Sequence, residues 1–328
     1  MYKRYIIIYF ITYVVVILCA IVIIPCLKKL KAQQNILSYV KEHSSKNGTP
    51  TMGGLFFIMP SLIISLFFFK GDKRIALLTI MITFAYMTVG LLDDFLKIKN
   101  KRNLGLKAYQ KIVFQFSIAI VTALFCYKIG LTRINIPFTQ NSIDIRFWSI
   151  PLIVIVFLAT TNTVNLTDGL DGLAGSTSLV YLVFLFSLCL LQKKISTIFL
   201  SSSEFENLLT SMVVICSGTS AFLLSNTFKA SVFMGDTGSL VLGGYIACAS
   251  IFTNNLLYIL IIGVVFVFSG LSVILQVGYF KVSKGKRIFL MAPFHHHLQH
   301  KGLSESKIVF IYCAVTFCMG LISIFNYV

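Results

Sequence analysis

The sequence predicts an all-α integral membrane protein with ten transmembrane helices, and three observations carry that prediction. Of the 328 residues 57% are hydrophobic and only 12% are charged, where a soluble domain has about 25% charged residues. The mean hydropathy is +0.88. The apolar residues also gather in runs separated by short polar segments, and a run of about 20 residues crosses roughly 30 Å of hydrocarbon.

Taken in order, the predicted helices cover residues 5–27, 52–69, 75–92, 108–127, 147–164, 173–191, 208–228, 238–252, 256–280 and 305–327. The first follows Lys3 and Arg4 as a secretory signal would, but it is too long for a typical signal core and no small-x-small cleavage site follows it. It is read as a retained membrane helix, with no soluble extension expected on either side of the membrane region. The eighth is the shortest, spanning about 22 Å at 1.5 Å per residue. A single helix over 238–280 would reach about 64 Å, so a break is placed at Thr253, Asn254 and Asn255. No tandem repeat and no inverted repeat of the transporter kind is visible, and residues 1–328 read as one polytopic membrane domain.

Ten helices put the loops after odd-numbered helices on one side and both termini on the other. That partition sends 18 of the 28 Lys and Arg residues to one side, which the positive-inside rule makes cytoplasmic. The termini are then extracytoplasmic. The formal net charge of +17 is thus a feature of membrane topology; the basic residues are scattered through loops with no aromatic-studded basic domain, so nucleic acid is not expected as a partner. Eight cysteines lie in or beside apolar runs without a CxxC pair, and read as buried small hydrophobes.

The same partition places five of the seven aspartates (Asp93, Asp94, Asp168, Asp171 and Asp236) on the cytoplasmic side. They fall in three motifs. Asp93 and Asp94, in GLLDDFLKIK, stand at the cytoplasmic end of the third helix. Adjacent carboxylates at a membrane boundary are disfavoured by desolvation and mutual repulsion unless a cation binds there, although solvated helix-end acids are the plainer reading of the pair alone. Lys97, one turn on, is placed to pair with an aspartate or to hold a phosphate. NTVNLTDGLDGLAG, residues 162–175, concentrates Asn162, Asn165, Thr167, Asp168 and Asp171 in one short break, a density a plain helix connection does not need. FMGDTGS, residues 233–239, sets Asp236 between two glycines just before the eighth helix. A helix start offers backbone N–H groups to an anion and the carboxylate can hold a hard cation, while a turn and helix cap explain the motif equally well in isolation.

Two further segments share this face. APFHHHLQHKG, residues 292–302, lies in the last cytoplasmic loop. Successive side chains of a helix diverge by about 100°, so His295, His296 and His297 do not converge on one metal and suit phosphate binding or proton transfer better. HSSKNGTPTMGG, residues 43–54, is a shaped turn that carries Lys46. These pieces can meet only at the cytoplasmic rim of the bundle, where one substrate arrives from water with its phosphates and the other has a head group at the lipid interface.

GTPTMGG, GLLDDFLKIK with the downstream Lys111, NLTDGLDGLAG, FMGDTGS and the triple histidine resemble, in order and topology, the bacterial phospho-N-acetylmuramoyl-pentapeptide transferases, over residues 40–302. The resemblance implies that family's ten-helix architecture in the bacterial plasma membrane and its reaction. In that reaction phospho-N-acetylmuramoyl-pentapeptide passes from its UDP carrier to undecaprenyl phosphate, giving lipid I and UMP for peptidoglycan synthesis. Magnesium is the implied cofactor, with Asp236 as its ligand. Asp93, Asp94, Asp236 and His296 are implied as catalytic. Lys46, Lys97, Lys111, Asn165, Asp168, Phe233, His295 and His297 are implied as substrate-binding, Phe233 by stacking on uracil and Asn165 and Asp168 near the uridine. Phe95 stands where many relatives have tyrosine, so no hydroxyl role is expected there.

Phosphoryl transfer needs in-line placement and charge neutralisation more than a strong base. Direct attack by the lipid phosphate is favoured over a covalent phospho-aspartate, because it needs no nucleophile within a set of acids engaged by metal. Two other functions compete. A related UDP-N-acetylhexosamine transferase would share the aspartates, and the triple histidine argues against it; a transporter would place its ionisable groups near the bilayer midplane. The sequence leaves open whether the chain acts alone or as a homodimer.

Overall fold

A computed structural model describes residues 2–29, 48–100, 105–139, 141–193 and 200–327. Lys46 lies outside the described residues. The chain is helical almost throughout: α1 (Tyr2–Lys29), α2 (Gly54–Phe68), α3 (Arg74–Lys99), α4 (Ala108–Lys128), α5 (Ser149–Thr167), α6 (Leu173–Lys193), α7 (Ser202–Asn226), α8 (Asp236–Phe252), α9 (Tyr258–Ile261), α10 (Val264–Val282), α11 (Phe294–His300) and α12 (Glu305–Ile324). Among the described residues eight helices are long and apolar enough to cross a membrane, namely α1, α3, α4, α5 with its leading turn, α6, α7, α10 and α12. α2 and α8 are apolar but shorter, at 15 and 17 residues.

The core is built around α8. Every residue of α8 after Asp236 is buried, and α3 and α5 pack on it most extensively. Tyr86 of α3 stacks on Phe157 of α5 with ring centroids 5.8 Å apart. Buried hydroxyls in these helices donate to carbonyls one turn back, as Thr79 does to Ile75 O (2.8 Å), Thr83 to Thr79 O (2.6 Å) and Thr161 to Phe157 O (2.7 Å). In a medium without water such local bonds are how a polar side chain is tolerated.

Several features differ from the sequence reading: the helix read from 208 begins at Ser202, and Cys26 and Cys318, read as buried, are exposed. α3 does not stop at residue 92 but runs two turns further to Lys99, because the charges that end its apolar run are compensated by tertiary partners. The predicted ninth helix is split at Gly263 into α9 and α10. The histidine segment, expected in a loop, forms the short helix α11 behind Pro293. Between α4 and α5 a two-stranded antiparallel hairpin pairs β1 (Arg133–Asn135) with β2 (Ser142–Asp144), in the register Arg133 to Asp144 and Asn135 to Ser142.

The break after α8 stands where the sequence placed it. Asn254 turns the chain with φ +58°, and Asn255 and Gln192 of α6 exchange amide hydrogen bonds, Asn255 Nδ2 to Gln192 Oε1 at 2.8 Å and Gln192 Nε2 to Asn255 Oδ1 at 2.9 Å. Asn135 N–H of the hairpin donates to Asn254 O at 2.9 Å. The end of α8 opposite Asp236 is therefore pinned to both α6 and the hairpin.

Candidate active site

Two helices deliver the acids. Asp93 and Asp94 lie in the last two turns of α3, and Asp236 is the first residue of α8. The sequence had set Asp236 just before that helix. Gly235 makes the earlier start possible: its φ of +69° is one that residues with a Cβ rarely adopt, and a Cβ there would lie 2.5 Å from Asp94 Oδ2. α8 consequently begins with its free N–H groups aimed at Asp94. Asp236 N donates to Asp94 Oδ1 at 3.2 Å, and Thr237 N and Oγ1 both donate to Asp94 Oδ2, at 2.9 and 2.7 Å. A carboxylate from α3 thus caps the positive end of α8.

The two helices touch backbone to backbone at the site. A Cβ on Gly90 would lie 2.2 Å from the Asp236 carbonyl oxygen, so Gly90→Ala is expected to force them apart at a cost of about 1–3 kcal/mol, by analogy with overpacked cores. A melting temperature unchanged by that substitution would contradict the close approach.

Asp93 turns the other way along α3. Its Oδ1 accepts from Leu106 N at 2.8 Å, fixing the segment that leads into α4, and its Oδ2 faces Lys97 Nζ at 2.6 Å. Lys97 Nζ sits at the middle of the acids, 3.7 Å from Asp94 Oδ1 and 3.0 Å from Asp236 Oδ2. Lys111 of α4 reaches Asp236 Oδ2 at 2.7 Å. From α5, Asn165 Nδ2 donates to Asp236 Oδ1 at 2.7 Å and to Ser239 Oγ at 2.8 Å. Of the residues singled out in the sequence, Asp93, Asp94, Asp236, Lys97, Lys111 and Asn165 therefore converge on one centre drawn from α3, α4, α5 and α8.

The others surround it. Asp168 is half-buried at the C-cap of α5; burial, then the charges of Asp236, Asp94 and Asp171, push its carboxyl up to about 8. Phe233 is held by its backbone, with its N–H donating to Pro50 O (2.8 Å) and its carbonyl accepting from Gly53 N (2.9 Å). The three histidines diverge, as helical geometry requires. His295 is buried against Gly169, where a Cβ would lie 2.2 Å from its Nε2. His296 Nδ1 pairs with Gln299 Oε1 at 2.7 Å. His297 accepts from Leu290 N at 3.1 Å and stacks on Phe294, and its imidazole is held below its ordinary pKa by burial and by Lys301 and His300.

Sequence reasoning missed several residues that shape this centre. Thr237 and Ser239 stand in FMGDTGS, where a hydroxyl carries no signal of its own beside the aspartate. Gln115 stands one turn beyond Lys111 on α4, and its Oε1 accepts from Asn162 Nδ2 at 2.7 Å, tying α4 to α5 below the acids. Asn226 joins two loops, accepting from Gly172 N at 3.1 Å and donating to Val232 O at 2.9 Å, while Asp171 Oδ2 accepts from Ala230 N at 3.1 Å. The signal for Gln115 was a polar residue within an apolar run; Asn226 gave none, at the polar end of a helix.

Chemically, carboxylate oxygens of Asp93, Asp94 and Asp236 lie within 4.8 Å of one another. An all-oxygen carboxylate set suits a hard divalent cation, and two ammonium groups and a side-chain amide beside it suit phosphate oxygens. The centre can hold a cation and neutralise phosphate charge.

The comparisons with known proteins agree. The family described as Glycosyl transferase family 4 matches residues 75–254, and the phospho-N-acetylmuramoyl-pentapeptide-transferase signature 1 matches residues 46–58. The phospho-N-acetylmuramoyl-pentapeptide-transferase of Clostridioides difficile (strain 630) is 41% identical over 321 residues, covering 96% of this chain and 95% of its own length. The proteins of the same name from Clostridium perfringens (strain 13 / Type A) and Halalkalibacterium halodurans are 40% and 38% identical, each covering 94% of its own length. Identity at this level along nearly the whole chain, with the motif acids gathered at one centre, shows that the chain belongs to the phospho-N-acetylmuramoyl-pentapeptide-transferase family.

Proposed function

We propose that the Asp93, Asp94 and Asp236 centre is where this chain moves phospho-N-acetylmuramoyl-pentapeptide from UDP to undecaprenyl phosphate, forming lipid I and releasing UMP. The chain is a transferase of peptidoglycan synthesis and a multi-pass membrane protein. The observation that carries the assignment of the site is the convergence of three carboxylates, two lysines and Asn165 at one end of the bundle. Ten membrane passes with both termini outside put that end at the cytoplasmic face of the plasma membrane, a reading supported by the 18 basic residues on that side. The short α2 and α8 count among the ten.

The donor set fits magnesium, which when bound supplies charge neutralisation across the diphosphate. Asp236 and Asp93 are its ligands in this reading, because their Oδ2 atoms face the ammonium groups of Lys97 and Lys111, which a cation can displace, whereas both oxygens of Asp94 are taken by the N–H and hydroxyl groups at the start of α8. Asp94 then holds α8 in place and keeps Asp236 aimed at the centre. Lys97 and Lys111 neutralise phosphate oxygens of the substrates, and Asn165 fixes the Asp236 carboxylate. Phe233, Asp168 and His295 line the nucleotide end, Phe233 as the uracil platform, with Lys46 and His297 as further substrate contacts and His296 as a catalytic histidine. The lipid phosphate needs no strong base, since the second pKa of a phosphate monoester is about 6; its ionised oxygen attacks the sugar-linked phosphorus and the UMP oxygen leaves.

UMP release should require both UDP-N-acetylmuramoyl-pentapeptide and undecaprenyl phosphate. Release without any lipid acceptor would favour a covalent phospho-aspartate. Turnover of UDP-N-acetylglucosamine in place of the muramoyl substrate would move the chain to the hexosamine branch.

A further inference from the structure

The stretch before α8 runs extended: Val232 and Met234 are buried and Phe233 between them is half-exposed, the alternation of a strand. Residues 50–54, which lead into α2, lie beside it as a partner. Phe233 N–H donates to Pro50 O at 2.8 Å, Gly53 N–H to Phe233 O at 2.9 Å, and Gly54 N–H to Met234 O at 3.1 Å. Both backbone groups of Phe233 are therefore taken by one short segment.

That segment can serve as acceptor at Pro50 and as donor at Gly53 and Gly54 only by turning between them. The turn falls on Met52, whose φ is +69°, a conformation that a residue with a Cβ enters at a cost and keeps only where its surroundings over-determine it. Two glycines follow directly, yet the left-handed residue is the methionine. Its side chain supplies the reason, since Met52 is only 7% exposed and packs in the main hydrophobic core. Core burial holds the strained turn in place.

The turn also meets the left-handed residue before α8. A Cβ on Gly235 would lie 2.7 Å from Thr51 Oγ1 and 3.0 Å from Met52 N, and a Cβ on Gly53 would lie 2.7 Å from Phe233 O. Residues 51–53 and 233–235 thus touch backbone to backbone, and neither segment can shift without the other.

We propose that Met52 is a positioning residue for the nucleotide: its buried side chain fixes the left-handed turn, and the turn fixes the backbone from which Phe233 presents its ring to uracil. This rests on Phe233 as the uracil platform of the proposed function. Met52 itself touches no substrate in this role.

Met52→Leu and Met52→Ile place the same atoms in the core, but branching at Cβ makes the left-handed conformation much less accessible to isoleucine. The two variants are compared with wild type for KM of each substrate, for kcat, and for the dissociation constant of UMP measured without turnover. The conservative Met52→Leu is expected to retain the wild-type KM. Met52→Ile should raise KM for the UDP substrate and the UMP dissociation constant roughly tenfold, within the range for one base-stacking contact. Its kcat and its KM for undecaprenyl phosphate should stay near wild type, because stacking is made equally in ground and transition states. A smaller folded fraction lowers the maximal rate without moving KM, so a merely structural defect gives a different result. Met52→Val, β-branched and smaller, should show the same rise and serves if isoleucine prevents folding.

Phe233→Leu should raise the same two constants, and adding Met52→Ile to it should change them little further. A wild-type KM in both β-branched variants would overturn the proposal, as would equal impairment by leucine and isoleucine, or effects of Met52→Ile and Phe233→Leu that multiply. If Phe233→Leu leaves KM unchanged, the uracil platform falls and this inference with it; a rise for Phe233→Leu but not for Met52→Ile overturns this inference alone.

Discussion

Replacing Asp236 by asparagine is expected to lower UMP release by roughly a thousandfold, the upper range for losing one preorganised electrostatic partner. Asp236 is where the site's contacts meet. Its Oδ2 takes Lys97 at 3.0 Å and Lys111 at 2.7 Å, and its Oδ1 takes Asn165 at 2.7 Å, with the side chain only 13% exposed. Asparagine keeps the shape but removes the charge that both lysines share, and it replaces a cation ligand by a neutral amide. Some stability will go with it, since an unpaired buried charge costs about 3–5 kcal/mol. The assay is therefore run below the variant's measured melting temperature. Asp72→Asn provides the contrast, because Asp72 pairs with the exposed Arg74 at 2.7 Å away from the site, and surface changes stay within about 0.5 kcal/mol. Asp236→Asn turnover within a few-fold of wild type would refute the site.

The second large effect concerns the metal. Chelation of divalent cations is expected to stop UMP release, with magnesium restoring it, yet the chelated protein should remain folded. Lys97 is the reason. Its ammonium lies within 3.7 Å of all three aspartates, so part of their negative charge is offset by a side chain whenever no cation is present. Lys97→Met removes that internal counter-ion and leaves three partly or fully buried carboxylates facing one another with Lys111 alone nearby. Its melting temperature should fall on chelation and rise on adding magnesium by clearly more than that of wild type, by linkage between binding and folding. If chelation leaves wild-type turnover intact, or if magnesium stabilises both proteins equally, the acids do not form a cation site.

Much of this was legible in the sequence, for reasons that also explain the gaps. The helix read at 108–127 is observed at Ala108–Lys128, because a helix in lipid must be apolar along its length and its polar flanks mark its ends. The same rule failed at α3. There Asp93, Asp94 and Lys97 ended the hydropathy run but not the helix, since their partners on α8 and before α4 are distant in the chain. The hairpin at 133–144 was missed because three-residue strands among polar residues lack the length to show alternation. The motif acids were visible in the sequence because they gather in one predicted set of loops. The division of labour between them was not, because Asp94 becomes a helix cap only once Gly235 turns Thr237 toward it.

The short central helix has a consequence for life in membranes of different thickness. α8 spans about 26 Å at 1.5 Å per residue, less than the roughly 30 Å of a typical hydrocarbon core, and protein encloses it on all sides. Longer outer helices such as α1 and α10 meet the lipid, and it is they that would tilt when acyl chains lengthen or shorten. With one end held by the Asn255–Gln192 amide pair and the other by Asp94, α8 is a pillar whose height the bilayer does not set. Hydrophobic mismatch is absorbed at the circumference, so the reacting centre should keep its geometry as the cell remodels its lipids.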